Sequence, residues 1–565
     1  MKQTYLRPAC SGRNPQKLLL LLLMIAIALG KPMSAAAQTP GAADVGSLLR
    51  EIVTSGRLAD LRWPDFSDFR AQVQSFYEPS NFGMAWVRDH QPTAQARTMI
   101  EVLQRAESKG LNAEDYDASR WSFRLTQLND PAAAARFDVA LTICAMRYIS
   151  ALEVGRVNPS HLKFGLTTKS TQSELPQFLR DRIANGQDIE ASLAEIEPPF
   201  PGYKRTRDAL QRYRELSGQD DGEQLPVPAK PVEPGSPYAG TPRLARLLRL
   251  LGDLPADAAA PTGGAYEGTL VEAVKHFQER HGLTPDGRLG AQTLKQLNTP
   301  LSDRVEKLRL TLERWRWIPH SFPQPPVVVN IPEFRLRAYD SSGKIVLSMN
   351  VIVGKALRHE TPVFDQDMRF VVFRPYWNVP RSILRSEIIP AIQKDRGYVA
   401  KKNYEVVTAG GQVVTSGEIS DDVLQQLQAG KLSVRQKPGP NNALGLVKLM
   451  FPNEYNVYLH STPSQQLFSQ TRRDFSHGCI RVEKPAELAA WALQEKPEWT
   501  LERVRATMQG DKDNVQVNLT KPIPVLILYG TAVVTEDGDA HFFDDVYGHD
   551  ASLEKILAKG YPYPK

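Results

Sequence analysis

One cysteine and two histidines near the C-terminal end of the chain are the residues whose types and spacing could do covalent chemistry. They lie in Tyr458-Leu459-His460-Ser461-Thr462 and, thirteen residues further on, in Ser476-His477-Gly478-Cys479-Ile480-Arg481-Val482. A free thiol has a pKa of ~8.5, so a catalytic cysteine needs a neighbouring base or cation. His477 shares the side of Cys479 if the backbone there is extended, whereas His460 must arrive through the fold. Gly478 frees the chain to turn and to bring its amide close to a substrate, as an oxyanion hole built from backbone N–H groups requires. Arg481 is one alternation beyond the cysteine, where a guanidinium can hold a substrate carboxylate or stabilise the loop. Pro485 opens a helix over Ala486 to Leu493 that pins the segment.

Two blander readings compete. Cys479, His477 and His460 could ligate zinc, but a fourth ligand and a Cys-x-x-Cys pair are both missing, so no metal is expected. They could also be satisfied core residues, against which Gly478 argues. No Gly-x-x-x-x-Gly-Lys-Ser/Thr loop or His-Glu-x-x-His helix occurs, and no cofactor is expected.

The remaining cysteines sharpen the choice. Leu18 to Leu29 is an unbroken apolar run, preceded by Lys2, Arg7, Arg13 and Lys17 and followed by Ala35-Ala36-Ala37-Gln38. A basic head, a short apolar centre and a small-x-small end predict a secretory signal over residues 1–37, cleaved after Ala37 and leading out of the cytoplasm. The run falls short of the ~18 apolar residues of a spanning helix, so membrane contact is expected only if the signal is retained. Cys10 would leave with it. Cys144 sits in the apolar helical stretch Ala140 to Met146 and reads as a small buried hydrophobe rather than half of a disulfide, which leaves Cys479 to explain. The net charge of +6 over 565 residues has no lysine or arginine block, so nucleic acid is not an expected partner.

These residues must be positioned by a chain several times the usual domain size, so two or three separately packed units are expected. Residues 38–222 read as a mostly helical region, with Phe76, Tyr77, Phe82 and Trp86 as core aromatics. Six prolines between Leu225 and Arg243 predict a semi-rigid linker over 223–243. A three-helix unit follows over 244–300, then a connecting helix over 301–325. From Pro326 the apolar period becomes two, as in Val327-Val328-Val329-Asn330, Arg335 to Tyr339 and Leu347 to Gly354, predicting a β-rich catalytic domain to residue 530 and a C-terminal extension over 531–565. The strand pattern lapses over about 381–452, which predicts a lid or substrate-shaping insertion.

Leu251-Gly252-x-Leu254-Pro255, Ala273-Val274-x-x-Phe277-Gln278, Gly282-Leu283-x-x-Asp286-Gly287 and Gly290-x-x-Thr293-x-x-x-Leu297 resemble the small peptidoglycan-binding domain, with Glu267 where that family often has aspartate and a longer loop from Ala256 to Ala265. A histidine, a spacer and Ser-His-Gly-Cys-Ile-Arg resemble the signature of the YkuD-like L,D-transpeptidase catalytic domain. The arrangement is similar to the large periplasmic members with an N-terminal scaffold and a capped catalytic domain. The fold implied is multidomain α+β: a helical scaffold, a three-helix peptidoglycan-binding domain and a β-rich catalytic domain with a lid. The resemblance implies that Cys479 is the nucleophile, that His460 is the general base, and that His477, Gly478 and the Cys479 amide line the oxyanion hole. It also implies that Arg481, Ser476, Trp377 and Asn442 face substrate, although Trp377 reads equally well as packing.

The implied reaction is 3→3 crosslinking of peptidoglycan through a cysteine thioester with release of D-alanine, in cell-wall biogenesis and cell shape, with acylation by carbapenems. Water or a lipoprotein lysine as acceptor, or a non-catalytic wall-binding scaffold, are the alternatives. Stem peptides and glycan are the implied partners, alongside other cell-wall synthases.

Overall fold

A helix apolar all round must be enclosed by others, and Pro131–Val154 (α1) is such a helix. Asp130 caps it by accepting from the Ala133 N–H, Pro131 occupies its first turn, and its residues from Val139 to Ile149 are all buried. The computed structural model describes residues 45–168, 174–258 and 264–564, so the secretory signal expected over 1–37 lies outside the described residues. Around α1 pack the helices of the scaffold and the aromatics Phe76, Tyr77 and Trp86. Asp138 on α1 accepts from the Tyr77 hydroxyl and from the Ala85 and Trp86 amides, so a buried carboxylate is satisfied by the segment it holds. Cys144 is buried in the same helix and makes no disulfide.

The three-helix unit comprises Thr241–Leu251 (α3), Thr269–Arg280 (α4) and Ala291–Leu297 (α5), after the long scaffold helix Pro201–Gln219 (α2). The proline-rich stretch before it, expected as a linker, is instead part of this unit. Leu225, Val232 and Tyr238 are buried in its core, Val232 bridges to Leu289, and the Tyr238 hydroxyl donates to the Pro226 carbonyl. Prolines exclude regular secondary structure but not burial, and three apolar side chains spaced along an extended chain suffice to dock it.

Leu301–Trp315 (α6) leads to the catalytic sheet. Its strands are Val327–Asn330 (β1), Arg335–Tyr339 (β2), Ile345–Gly354 (β3), Phe364–Phe373 (β4), Val447–Met450 (β9), Leu459–His460 (β10), Asp474–Ser476 (β11), Ile480–Val482 (β12) and Val515–Leu528 (β13). They hydrogen-bond in the order β11-β3-β12-β10-β9-β4-β13-β1-β2, and β2 also pairs with β3, which closes the sheet on itself. Between β4 and β9 a second sheet is inserted: Trp377–Asn378 (β5), Tyr404–Val407 (β6), Val413–Thr415 (β7) and Ser433–Gln436 (β8), with short helices and an apolar core of its own running from Val379 to Val434. The insertion therefore ends before Val447 rather than at 452, because Val447 and Leu449 alternate inward and pair with β4 in the main sheet.

The three-helix unit and the lid have cores of their own, but scaffold and barrel do not pack separately. One hydrophobic cluster runs from Leu49 in the scaffold through Val327, Val351 and Leu459 in the barrel to Tyr561 and Tyr563 at the C-terminal end. Residues 531–564 knit the parts together. Ala532–Val534 (β14) and Ala540–Phe542 (β15) form a hairpin against α2 and α6. The Tyr563 hydroxyl meets Asp115, and the Asn158 N–H donates to the Pro564 carbonyl. The small unit is bolted to the same hairpin by Arg280, which donates to both Asp253 and the Ala540 carbonyl. Among the described residues no helix is long and apolar enough to cross a membrane.

Candidate active site

Three adjacent barrel strands carry the candidate residues. β10 lies between β9, antiparallel to it, and β12, parallel to it, and the register sets Lys448 opposite His460 and His460 opposite Arg481. Directly paired residues project to the same face, so Lys448, His460 and Arg481 form a row across the sheet. Their neighbours Val447, Leu449, Leu459, Ile480 and Val482 fill the other face as buried core. Cys479 stands at the foot of β12 and Tyr458 at the foot of β10, so thiol and phenol flank the row.

His460 is buried, and burial first, then the Arg481 charge, lowers its pKa to about 3. It is neutral at any physiological pH. Its Nδ1 lies 2.6 Å from the Ser461 carbonyl, which can only accept, so the proton sits on Nδ1 and Nε2 keeps its lone pair. Cys479 is partly buried and unpaired, with Sγ 3.6 Å from the Asn456 carbonyl. Burial pushes its thiol up, while Tyr458, Arg481 and Lys448 pull the other way without overcoming it. Burial also lowers Lys448 and Arg481, and the thiolate of Cys479 would raise both. The Arg481 Nε is buried with no hydrogen-bond partner.

The turn that carries Cys479 is fixed by Ser476 within it and by Thr361 from another loop. Ser476 Oγ donates to the Cys479 carbonyl at 2.6 Å and accepts from the Gly478 N–H at 3.1 Å, and Thr361 Oγ1 donates to the Gly478 carbonyl at 2.8 Å. Gly478 has φ +112°, while a Cβ there would meet nothing closer than 3.8 Å, so conformation rather than space demands glycine. The chain between β11 and β12 is thus turned, not extended. His477 points to the lid, its Nε2 2.7 Å from Glu387 and its ring against His359. Among the described residues no cluster of three or more His, Cys, Asp or Glu side chains is placed to hold a metal ion.

Family models match three stretches: "Scaffold domain" over residues 71–210, "Putative peptidoglycan binding domain" over 243–297 and "L,D-transpeptidase catalytic domain" over 325–525. Residues 325–525 are an L,D-transpeptidase catalytic domain. A Haemophilus influenzae protein described as "Putative L,D-transpeptidase" is 32% identical over 276 residues, 48% of this chain and 54% of its own. The chain thus spans about half the length of that curated relative. An L,D-transpeptidase structure from Xylanimonas cellulosilytica aligns at 16% identity over 54% of this chain and 100% of that one, with a TM-score of 0.16. One from Stackebrandtia nassauensis aligns at 14% identity over 54% and 97%, with a TM-score of 0.21. Overlaps so slight carry no weight beside the family models.

Within the transpeptidase domain, Cys479, His460, Gly478 and Arg481 come together at one place, and three other expected residues do something else. Ser476, expected to face substrate, is buried and spends its hydroxyl on the catalytic turn. Asn442 is buried too. Its Nδ2 donates to the Pro375, Gln436 and Lys437 carbonyls and its Oδ1 accepts from the Leu444 N–H, so it ties the loop behind His460 instead of meeting a ligand. Trp377 lies in the lid sheet opposite Gln436, with its ring against Tyr404 and the lid core. The sequence reading passed over Tyr458, whose ring centroid lies 5.7 Å from that of His460, and Lys448. Tyr458 is one alternation before His460, a signal that was present; Lys448 joins the site only through strand pairing.

Proposed function

We propose that the chain is an exported L,D-transpeptidase that forms 3→3 crosslinks in peptidoglycan through a thioester on Cys479. The observation that carries this reading is the row Lys448, His460 and Arg481 beside Cys479, in which the base is neutral and its proton is fixed on Nδ1.

The thiol attacks the carbonyl carbon of the L-centred third residue of a donor tetrapeptide stem as His460 Nε2 takes the sulfur's proton. The oxyanion so formed needs an N–H donor. Gly478 gives its N–H to Ser476, while the Cys479 N–H has no acceptor among the described residues, which makes it the turn's donor. Collapse breaks the C–N bond, His460 returns the proton to the departing nitrogen, and D-alanine leaves. The side-chain amine of a second stem then attacks the thioester, forming the new amide and restoring the thiol. The unpartnered Nε of Arg481 and the ammonium of Lys448 suit the carboxylates of the donor stem.

The test is mass spectrometry of products after residues 38–565, with Cys479→Ala as control, are incubated with disaccharide-tetrapeptide. A dimer lighter by one D-alanine and absent from the control is expected. Tripeptide alone would mean that water is the acceptor, and no change in either sample would turn attention to a lipoprotein amine or a scaffold.

A further inference from the structure

The lid has an apolar core separate from that of the barrel, so its attitude over the catalytic turn depends on contacts at its margins. One of these reaches the turn itself. Leu384–Ile388 is a single π-helical turn, a local widening that often marks functional positions, and Glu387 on it accepts a hydrogen bond from His477 Nε2 at 2.7 Å. A carboxylate only accepts, so the proton of His477 is fixed on Nε2. From the other side the His359 ring lies 4.6 Å from that of His477, on the loop from which Thr361 ties the Gly478 carbonyl. His477 is therefore held between a lid carboxylate and a barrel loop, immediately before the turn that aims the Cys479 N–H and thiol.

We propose that Glu387 is a positioning residue for the transpeptidase reaction: by holding His477 it latches the lid to the catalytic turn and fixes the direction of the Cys479 N–H. The inference rests on the proposed thioester chemistry. Both partners of the latch are substantially exposed, with side-chain exposures of 51% for Glu387 and 38% for His477. An ion pair or hydrogen bond in such surroundings is a weak tie, strong enough to bias the lid and weak enough to release it. Structural glue would be buried, and a contact that must open for each stem peptide and close around it would not. Loss of the tie should loosen the lid and blur the oxyanion geometry while leaving the fold intact, since neither lid core nor barrel core includes Glu387.

The experiment compares the full chain from residue 38 with Glu387→Ala and Glu387→Gln. Backbone amide exchange over residues 384–394 and 477–479 is followed by mass spectrometry, and D-alanine release from disaccharide-tetrapeptide is resolved into kcat and KM. Glu387→Ala should quicken exchange in both segments by about threefold to fivefold, as expected for loss of one exposed charged contact. It should lower kcat by about tenfold with little change in KM, as loss of orientation does. Glu387→Gln keeps an acceptor for Nε2–H and should recover most of both. Unchanged exchange in Glu387→Ala overturns the latch, as does a kcat loss that glutamine fails to rescue. If the unaltered chain releases no D-alanine, the proposed function has failed, and the exchange comparison alone still decides whether the latch exists.

Discussion

Burial pushes the Cys479 thiol up and the His460 imidazole down to about 3, so a preformed thiolate–imidazolium pair is disfavoured and proton transfer must accompany attack. Alkylation of Cys479 by iodoacetamide should therefore keep rising with pH to beyond ~8.5, the ordinary thiol range. A plateau near neutrality would sink this picture. Lys448 is one of the charges that draw the thiol down, so Lys448→Met should slow alkylation at about pH 8 by roughly threefold and leave the fully ionised rate unchanged. Cys479, His460 and Gly478, which the fold brings to one place, stood out in the sequence because few residue types could do the proposed chemistry. Ser476 and Asn442 were misdirected because a small polar side chain beside a site reads the same whether it bonds a ligand or its own backbone. Glu387, ninety positions from His477, left no local signal.

The strand that carries His460 is only two residues long, and its precision comes from the loop behind it. Gly445 has φ +60°, and a Cβ there would lie 2.5 Å from Ser461 Oγ and 2.8 Å from the Ser461 carbonyl carbon, which bears the oxygen that anchors His460 Nδ1. Gly445→Ala combines strain and overlap, and should lower stability by ~2–4 kcal/mol in a denaturant melt. It should also cut D-alanine release at least about tenfold by turning the imidazole. Native stability together with native turnover would show that the loop does not hold the base. Periodicity revealed β2, whose buried residues alternate along its whole length, while β1 and β3, buried at consecutive positions toward their C-terminal ends, stand out by their valine- and isoleucine-rich runs. It failed at the proline-rich stretch, where Leu225, Val232 and Tyr238 are too far apart to show a period and their burial is set by the helices they meet.

The continuity of scaffold and barrel rests on a buried charge cluster as well as on apolar packing. Glu313 on α6 accepts from the Arg156 and Val157 N–H groups and from Arg156 Nε, with Arg316 also beside it. Burial alone would raise its pKa, but Arg156, Arg316 and these N–H groups hold it below the ordinary range. Glu313→Ala would leave two buried arginines uncompensated at the junction and should cost ~3–5 kcal/mol, read as loss of scaffold and barrel signal in one transition. No single-sequence pattern announces such a junction, because its members come from residues 156, 313 and 316 and are joined only by the fold. The same burial makes the molecule acid-sensitive. His281, His460 and His549 all lie below the ordinary histidine value, chiefly through burial, His460 at about 3 and His549 at about 4. Between pH ~6.5 and those values the unfolded chain binds protons that the native state refuses, so stability falls as pH falls. Asp138, raised to about 6 by burial, binds a proton in the native state first and offsets about one of the three. His541 and His359 are lowered in the same way, chiefly by desolvation, so just below pH ~6 stability still falls as pH falls, at ~1.4 kcal/mol per pH unit for each net proton. His549→Phe, which keeps a ring against Phe164 and Tyr529, should remove about one proton's share of that slope in melts between about pH 7 and 5. An unaltered slope in this variant would mean that His549 titrates in the native state, and that the acid sensitivity lies with the other depressed histidines.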